Sequence, residues 1–341
     1  MDIQQIEGVN RQWDAFVDSQ PEGKIYHQSV FQKIISDTFG HEPVFLQASE
    51  HGELLGVLPL IHMRSKIFGN FLVSIPFFNY GGVCAVSEQA RKKLLDTAVN
   101  LARKRKARHL ELRHVRPLFA HLPHKAHKVC MILDLPDSPE ALWSQFKSKL
   151  RSQIRRPEKD GIYVKAGKAE LLDDFYDVFS VNMRDLGTPV YPRKLFANVM
   201  NAFPQSSWIL VAYKDTQPLA AGFVLGYKET LEIPWASSLR KYNRTSANML
   251  MYWHALKLAI EQGYRKFDFG RSSPDSGTYK FKAQWGAKPV PLHWEYWLAN
   301  GGPLPDMSPQ NGKFQVAIRI WQRLPLPLTR LLGPAIVKNI P

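Results

Sequence analysis

The residue types best suited to chemistry are concentrated in one stretch of the chain, residues 264–298. It begins with Lys266-Phe267-Asp268-Phe269, whose alternation of apolar and polar side chains predicts a short buried strand. A polar loop follows at 270–277, and Gly286 is expected to end the helix after it. Four side chains recur at helical spacing between loop and glycine: Tyr279, Phe281, Lys282 and Trp285. Ligands bind beyond the carboxyl ends of strands in such sheets, so this loop is the predicted site. The alternative is a polar surface loop between two core strands.

The elements that must position this loop occur twice along the chain. In the first half a hairpin (44–48 and 54–60) precedes a strand block at 75–83, a helix at 88–106 and a strand at 109–113. In the second half a hairpin (208–213 and 219–227) precedes a strand at 231–237, a helix at 246–262 and the strand at 266–269. Two copies of a mixed α/β lobe are the simplest explanation. Coincidence is the alternative, because hairpins and helix–strand pairs are common.

The segments FDFGRSS, DSGTY, FK and WG within 264–298 resemble the C-terminal signature of the Fem-like branch of the GNAT acyltransferase superfamily. More narrowly, they resemble FemAB-related proteins associated with the PEP-CTERM/exosortase system. The resemblance implies two tandem GNAT-like lobes, at 1–134 and 140–300, with a linker near 135–139 and a basic tail at 301–341. It also implies transfer from acyl-CoA or aminoacyl-tRNA, used as a co-substrate and not as a tightly bound cofactor, to an amine of a peptidoglycan-type acceptor.

The catalytic residues are expected around Lys282. The resemblance places a lysine of Fem relatives at this position near the donor, where a cation would stabilise an oxyanion or a donor phosphate. Asp268 or Asp275 is a candidate base, Glu232 on the preceding strand is the rival, and Tyr279 would position substrate. Proton acceptance by the substrate itself remains an alternative. The chain has no nucleophile motif, which fits direct attack without a covalent enzyme intermediate.

The donor is expected at the start of the 246–262 helix. Free N–H groups and the positive end of the helix dipole bind phosphate, and Arg240 and Arg244 precede Ser246 there. Arg271 and Ser272, at the end of the preceding strand, are further expected donor contacts. GNAT enzymes carry a glycine-rich loop at this place, and here the glycines are missing. The alternative is an ordinary capped helix with solvated cations.

The acceptor is expected to meet two other polar segments. The run 147–156 predicts an amphipathic helix whose cations include Arg151 and Arg155, and it resembles the Arg-rich helix that opens the second lobe of Fem relatives. The turn after the next helix contributes Arg184 and Thr188, and Trp285 completes the expected acceptor contacts. A solvated helix face is the alternative explanation of the basic run.

Composition narrows the classes of function. The 341 residues carry a formal net charge of +15, so an anionic partner is expected: nucleic acid, anionic lipid or a phosphorylated substrate. Cys84 and Cys130 are too few for a disulfide scaffold. His121, His124 and His127 are interrupted by proline and flanked by lysines, so no metal is expected. Neither a signal peptide nor a membrane-spanning run is recognisable, so a cytoplasmic location is expected.

The tail at 313–341 combines five cations with apolar bulk and no acid. This favours an amphipathic segment on an anionic membrane, at the inner face. A helix packed on the second lobe is the alternative. For the whole chain the prediction is an N- or O-acyltransferase, and the resemblance implies a cell-envelope or exopolysaccharide-related acceptor. The competing hypotheses are a non-catalytic nucleic-acid-binding protein and a peripheral-membrane assembly factor built on degenerate lobes; the oligomeric state is open.

Overall fold

The computed structural model describes residues 1–66, 68–305 and 312–341, and for 312–314 it describes the backbone only. The strands are β1 (Asp2–Ile6), β2 (Glu42–Glu50), β3 (Glu53–Ser65), β4 (Gly69–Val73), β5 (Cys84–Ala85), β6 (His109–His114), β7 (His124–Lys125), β8 (Val129–Asp134), β9 (Ile162–Gly167), β10 (Ser207–Lys214), β11 (Gln217–Tyr227), β12 (Thr230–Ser238), β13 (Lys266–Ser272), β14 (Lys288–Pro291) and β15 (His293–Leu298). The α-helices are α1 (Arg11–Ser19), α2 (Phe31–Phe39), α3 (Glu88–Lys104), α4 (Pro139–Gln145), α5 (Ser148–Lys159), α6 (Leu172–Leu186), α7 (Arg193–Ala202), α8 (Ala247–Glu261), α9 (Gly277–Ala283), α10 (Gly312–Trp321) and α11 (Leu326–Val337). None of the helices in these ranges is both long and apolar enough to cross a membrane.

Two sheets of the same design organise these elements. The first has the strand order β1-β2-β3-β4-β6-β15-β7, with β5 paired to β3, and the second has the order β14-β8-β13-β12-β11-β10-β9. In each sheet the last strand of an antiparallel meander pairs in parallel with the strand that follows a long helix: β4 pairs with β6, and β12 pairs with β13. The prediction of two repeated mixed α/β lobes is therefore confirmed.

One strand of each sheet comes from an unexpected part of the chain. β8 pairs antiparallel with β13 of the second sheet, although it precedes the second lobe's own strands. β15 pairs antiparallel with β6 of the first sheet, although it follows the whole second lobe. The compact units are accordingly Met1–Lys128, Pro291–Met307 and Lys338–Pro341 for the first, and Val129–Val290 and Ser308–Val337 for the second. These differ from the expected 1–134, 140–300 and 301–341 because strand pairing follows the sheet rather than chain order.

The expected strand at 75–83 is not formed. The strand in this part of the first lobe is β4, which ends at Val73. Ile75 and Phe77 have φ values of 51° and 74°, in the left-handed region that excludes a regular strand. The segment is instead an irregular loop.

In the second lobe the surroundings of α8 explain why this helix is apolar on nearly every face. It packs against β10, β11 and α5, and its side chains are buried on nearly every face. This is why its sequence is apolar all round and lacks a polar stripe. α6 packs against β11 and β12, and also against α11. Helices therefore contact the strands around the β12–β13 boundary, where the predicted site residues lie.

Candidate active site

The second sheet separates where β12 and β13 run side by side. Their parallel pairing covers only Thr230–Glu232 with Lys266–Asp268, and both strands then continue without pairing to each other, to Ser238 and Ser272. Two carboxylates, Glu232 and Asp268, form the last pair before the separation. Both are almost fully buried, at 6% and 2% exposed. The two strands thus separate at the carboxyl edge of the sheet, the edge at which ligands bind in sheets of this kind.

Lys282 reaches this edge from α9. The helix begins after Ser276, whose hydroxyl accepts a hydrogen bond from the Tyr279 amide at 3.2 Å. One turn later the Lys282 side chain is 8% exposed. Its Nζ donates to the carbonyl oxygens of Gly270 and Arg271, each at 3.0 Å. The lysine is thus tied to the end of β13, two to three residues beyond Asp268.

Burial lowers the pKa of Lys282 to about 8, because the charged ammonium is poorly solvated there. Asp268, Cys130 and Glu232 oppose this shift of the pKa, and Arg271 adds to it. Asp268 is itself held in place, because its Oδ1 accepts a hydrogen bond from the Gly270 amide at 2.7 Å. The structure therefore brings the predicted lysine together with two of its three candidate bases. The site can place a cation, whose protonation changes near pH 8, beside buried carboxylates.

Cys130 is the member of this group that sequence reasoning missed. It lies on β8, fully buried, opposite Arg271 in the β8–β13 register. From the sequence it was only a reduced thiol, because nothing local indicated that β8 belongs to the second sheet. Ser272, an expected donor contact, is also buried, and its hydroxyl has no hydrogen-bond partner in the described structure. Arg271 is exposed at the same edge.

The expected donor-binding residues surround the N-terminus of α8, which follows β12. Ser246 adopts a left-handed conformation with φ 59° at the N-cap, and its hydroxyl does not cap the helix. Thr245 does so in part, accepting a hydrogen bond from the Ala247 amide at 3.3 Å. Arg240 and Arg244 are exposed in the 3₁₀ turn that precedes the helix. The arrangement offers cations and a helix N-terminus at the edge where β12 and β13 separate.

A cavity of about 640 Å³ lies beside this 3₁₀ turn. It brings Arg240, an expected donor contact, together with Arg184, an expected acceptor contact. Arg184 is engaged with Asp185, its Nη2 donating at 2.8 Å. Arg330 of α11 also lines the cavity and donates to Asp177 at 2.6 Å. The contribution of α11 was not foreseen, since the tail was expected either on a membrane or merely packed on the lobe.

The remaining expected site residues lie apart from the lysine cluster or have other contacts. Asp275 is exposed, with φ 60°, on the turn before α9. Tyr279 is half-buried and packs on the core of the lobe. Trp285 is 1% exposed, and its ring lies 5.6 Å from that of Phe146. Trp285 therefore packs among aromatic neighbours, and it also lines a second cavity, of about 440 Å³, together with Lys147 and Lys149; its contact with an acceptor stays a prediction.

The other acceptor candidates lie on helices. Arg151 is half-buried on α5, and Arg155 is exposed on the same helix with its guanidinium 5.1 Å from the ring centroid of Trp143. Thr188 follows α6, and its amide donates to the Met183 carbonyl at 2.9 Å. Their contact with an acceptor stays a prediction.

The first lobe differs at the equivalent position. There the parallel pairing of β4 with β6 ends at Glu111. The loop that follows β4 then binds along β6: the Ser74 amide donates to the Glu111 carbonyl at 2.9 Å, and the Gly81 amide donates to the Arg113 carbonyl at 3.1 Å. Arg113 is 2% exposed, donates to Glu111 at 2.7 Å and to the Phe78 carbonyl at 2.5 Å. The loop and this ion pair occupy the place that is unpaired in the second lobe.

Comparison with known proteins agrees with this division of the two lobes. Residues 144–283 match the family model described as an Acetyltransferase (GNAT) domain. A curated relative, the UDP-N-acetylmuramoylpentapeptide-lysine N(6)-alanyltransferase of Weissella viridescens, is 28% identical over 159 residues, which cover 45% of this chain and 47% of the relative. The chain thus matches about half the length of that relative.

Solved structures resemble nearly the whole chain. The crystal structure of FemX has a TM-score of 0.67 at 15% identity and covers 93% of this chain and 100% of its own. A tandem GNAT protein from the clavulanic acid biosynthesis pathway has a TM-score of 0.53 at 13% identity, covering 89% of this chain and 100% of its own. At these identities the likeness shows the fold, two GNAT-like lobes in tandem, as predicted. The Fem-like GNAT resemblance is supported; the narrower PEP-CTERM association stays a prediction.

Proposed function

We propose that the chain is an acyltransferase of the Fem/GNAT type, and that the second lobe carries the reaction. The observation that supports this most directly is Lys282, buried and tied to the end of β13 beside Asp268 and Glu232, within the segment that matches the GNAT domain. A buried ammonium beside two carboxylates costs free energy, and burial of such groups is typical of functional sites.

The reaction is a direct acyl transfer. An amine or hydroxyl of the acceptor attacks the donor's acyl carbonyl, a new C–N or C–O bond forms, and the bond to the CoA sulfur or the tRNA ribose oxygen breaks. The proton lost by the nucleophile is delivered to the leaving group. The Lys282 ammonium stabilises the oxyanion that develops on the carbonyl, or the phosphate of the donor. Asp268 or Glu232 accepts the proton in transit, unless the donor or acceptor does so itself.

The donor is acyl-CoA or aminoacyl-tRNA, with its phosphates at the start of α8. Arg240 and Arg244 supply charge there, and the free amides of the first turn supply donors. Both donor classes carry phosphate, so the residues do not distinguish them. The relative from Weissella viridescens is an alanyltransferase, which favours an aminoacyl donor.

The acceptor is a cell-envelope component with a free amine or hydroxyl. The name of the Weissella viridescens relative specifies a lysine within a UDP-N-acetylmuramoyl pentapeptide, which makes a peptidoglycan-type acceptor the first candidate. An exopolysaccharide-related acceptor, as in the PEP-CTERM association, is the second. Arg184 in the cavity wall, together with Arg151 and Arg155 on α5, would meet an anionic acceptor. The same cavity is also lined by three aspartates, Asp174, Asp177 and Asp185, so it is of mixed charge. The reaction is proposed to take place in the cytoplasm.

Donor binding by the purified full chain tests this proposal. Acetyl-CoA, a long-chain acyl-CoA and an aminoacyl-tRNA are titrated separately against the wild type and Arg244→Ala. Arg265→Ala is the matched control, because this exposed arginine precedes β13 at the opposite end of the strand. We expect saturable binding of one donor class, weakened about three- to thirtyfold in Arg244→Ala and unchanged in the control.

The donor that binds also decides the class of reaction. Saturable binding of a CoA ester would assign an acyl-CoA-dependent transferase, and binding of tRNA alone an aminoacyl transferase. If none of the three donors binds, the acyltransferase proposal fails. Binding of tRNA that is equally tight without its aminoacyl group, and equal in Arg244→Ala, would favour the non-catalytic nucleic-acid-binding alternative.

A further inference from the structure

The last helix, α11, has one face packed on the second lobe. Thr329, Gly333 and Val337 recur every four residues and are buried. Gly333 lies directly against Val190: a Cβ at this position would be 2.8 Å from Val190 Cγ1 and 2.9 Å from its amide nitrogen. Such a close approach requires glycine. Arg330 adds hydrogen bonds to Ser180 at 2.7 and 2.9 Å, so the helix is anchored and not a loose tail.

The opposite face of α11 is apolar and open to solvent. Leu328, Leu331 and Leu332 are 44%, 72% and 44% exposed, and Ala335 is exposed too. Their spacing of three, four and seven residues makes a single stripe along the helix. Five of the ten large apolar side chains exposed in the described chain lie between Val316 and Leu332. Soluble proteins seldom concentrate them in this way without a partner.

The segment that carries this stripe is basic, although Asp177 of α6 lies against it, paired with Arg330. No aspartate or glutamate occurs from Met307 to the last residue, Pro341. Arg319 on α10 and Arg323 between the helices are exposed. No ion pair within residues 1–66, 68–305 and 312–341 neutralises either arginine. The same segment therefore combines an apolar stripe with two exposed arginines that have no ion pair in the described residues, which favours a partner that carries negative charge.

We propose that this outward face of α11, with Arg319 and Arg323, docks on an anionic lipid surface. A helix that lies in the plane of the interface buries a narrow leucine stripe among acyl chains and keeps its cations at the headgroups. A second copy of the chain fits less well. The stripe from Leu328 to Ala335 is only about 10 Å long, whereas a stable dimer buries about 800 Å² on each side. Two copies would also bring like charges together.

This inference goes beyond the proposed function and does not depend on it. It concerns where the second lobe is held, and α11 both lines the cavity beside the 3₁₀ turn and presents the stripe. Membrane docking would keep that lobe near acceptors that are made or carried at a bilayer.

Sedimentation with lipid vesicles tests the proposal. The full chain is mixed with vesicles of equimolar phosphatidylglycerol and phosphatidylcholine, and with vesicles of phosphatidylcholine alone. We expect binding to the first only, weakening as salt is raised. The variant Leu331→Ser/Leu332→Ser removes the stripe at exposed positions and should weaken partitioning about tenfold or more. Arg319→Gln/Arg323→Gln should weaken it as well.

The control is Val9→Ser/Val86→Ser, which removes apolar side chains of similar exposure, 61% and 51%, in the first lobe. It should bind vesicles like the wild type. The proposal is overturned if the wild type binds neither vesicle, or if the leucine variant binds as tightly as the wild type. It is also overturned if light scattering shows a dimer that the leucine variant dissociates, because the face would then belong to a second copy. Vesicle binding needs neither donor nor acceptor, so failure here leaves the transferase proposal untouched.

Discussion

The protonation of Lys282 should control the rate of transfer at alkaline pH. Burial lowers its pKa from an ordinary 10.5 to about 8. The side chain is therefore about nine-tenths protonated at pH 7 and about one-tenth protonated at pH 9. If the ammonium stabilises the oxyanion, kcat/KM should fall above pH 8 by about tenfold for each further pH unit. The group lies beside Asp268, which opposes the lowering of the pKa. Asp268→Asn should therefore shift this fall in rate to lower pH.

Removing the charge should cost rate without unfolding the protein. Lys282→Met is expected to lower kcat/KM about a hundred- to a thousandfold, the usual loss for one oxyanion donor. The Lys282→Met substitution has two opposing effects on the free energy of unfolding, which should nearly cancel. Because burial lowers the Lys282 pKa to about 8, holding the charge in the folded state costs about 3 kcal/mol at neutral pH, and methionine removes this cost. The carbonyls of Gly270 and Arg271 then lose their donor, at about 1–3 kcal/mol each.

Rates are measured as a function of pH with the donor identified by titration, and thermal denaturation is recorded in parallel. Lys282→Arg keeps its charge over the whole range, so the fall near pH 8 should disappear, on a lower plateau. Lys280→Met is the matched control: it removes an exposed lysine two residues away on α9 and should change the rate less than threefold or so. A Lys282→Met enzyme that folds and retains wild-type kcat/KM would refute the assignment. So would a fall near pH 8 that persists unchanged in Lys282→Arg.

Two further predictions concern the framework. In the first lobe Glu295 is 1% exposed and accepts a hydrogen bond from His114 Nδ1 at 2.6 Å. Burial raises the pKa of Glu295, but the interaction with His114 and the hydrogen bonds from two backbone amides outweigh burial, so the pKa is lowered overall. Glu295→Gln should cost about 2–4 kcal/mol in urea denaturation at pH 7. The pKa of Glu295 is lower in the folded than in the unfolded state, so the difference in unfolding free energy between wild type and Glu295→Gln should shrink as the pH falls below about 4.5. A difference that does not change with pH would contradict this reasoning. In the second lobe Gly333→Ala would force a Cβ against the Val190 backbone, so we expect a loss of about 1–3 kcal/mol and faster hydrogen exchange in α11; exchange rates equal to those of the wild type would show that α11 is not packed as described.

Local patterns were enough to predict most elements of the fold. The hairpins, the two long helices and the strands that follow them lie within a few residues of their expected positions. What failed was long-range pairing. The apolar residues within β8 and β15 say nothing about which sheet each strand joins. The loop at 75–83 failed for another reason. Its apolar residues suggest a strand, and only the left-handed backbone at Ile75 and Phe77 excludes it.

The site followed the same division between local and distant information. Lys282, Asp268 and Arg271 are close in sequence, and their grouping was predictable from one strand, one loop and one helix. The contributions of Cys130 and Arg330 were not predictable, because each lies on a segment far from Asp268 and Lys282 in the sequence, β8 and α11. The burial of Trp285 could not be predicted, because an aromatic residue at helical spacing suits a binding wall and a core equally well; here it is buried, and its contact with an acceptor stays a prediction.

The contrast between the two lobes shows why the second is the better candidate for catalysis. In each, a carboxylate ends the parallel pairing, Glu111 in β6 and Asp268 in β13. In the first lobe the partner cation, Arg113, comes from the same strand two residues on, and the preceding loop binds along that strand. In the second lobe the cation comes from α9, beyond a polar loop, and holds the strand end by its carbonyls. The charge pair of the first lobe is closed within one strand, whereas the lysine of the second lobe is delivered by a separate helix to the point where two strands separate, which favours the second lobe as the place of the reaction.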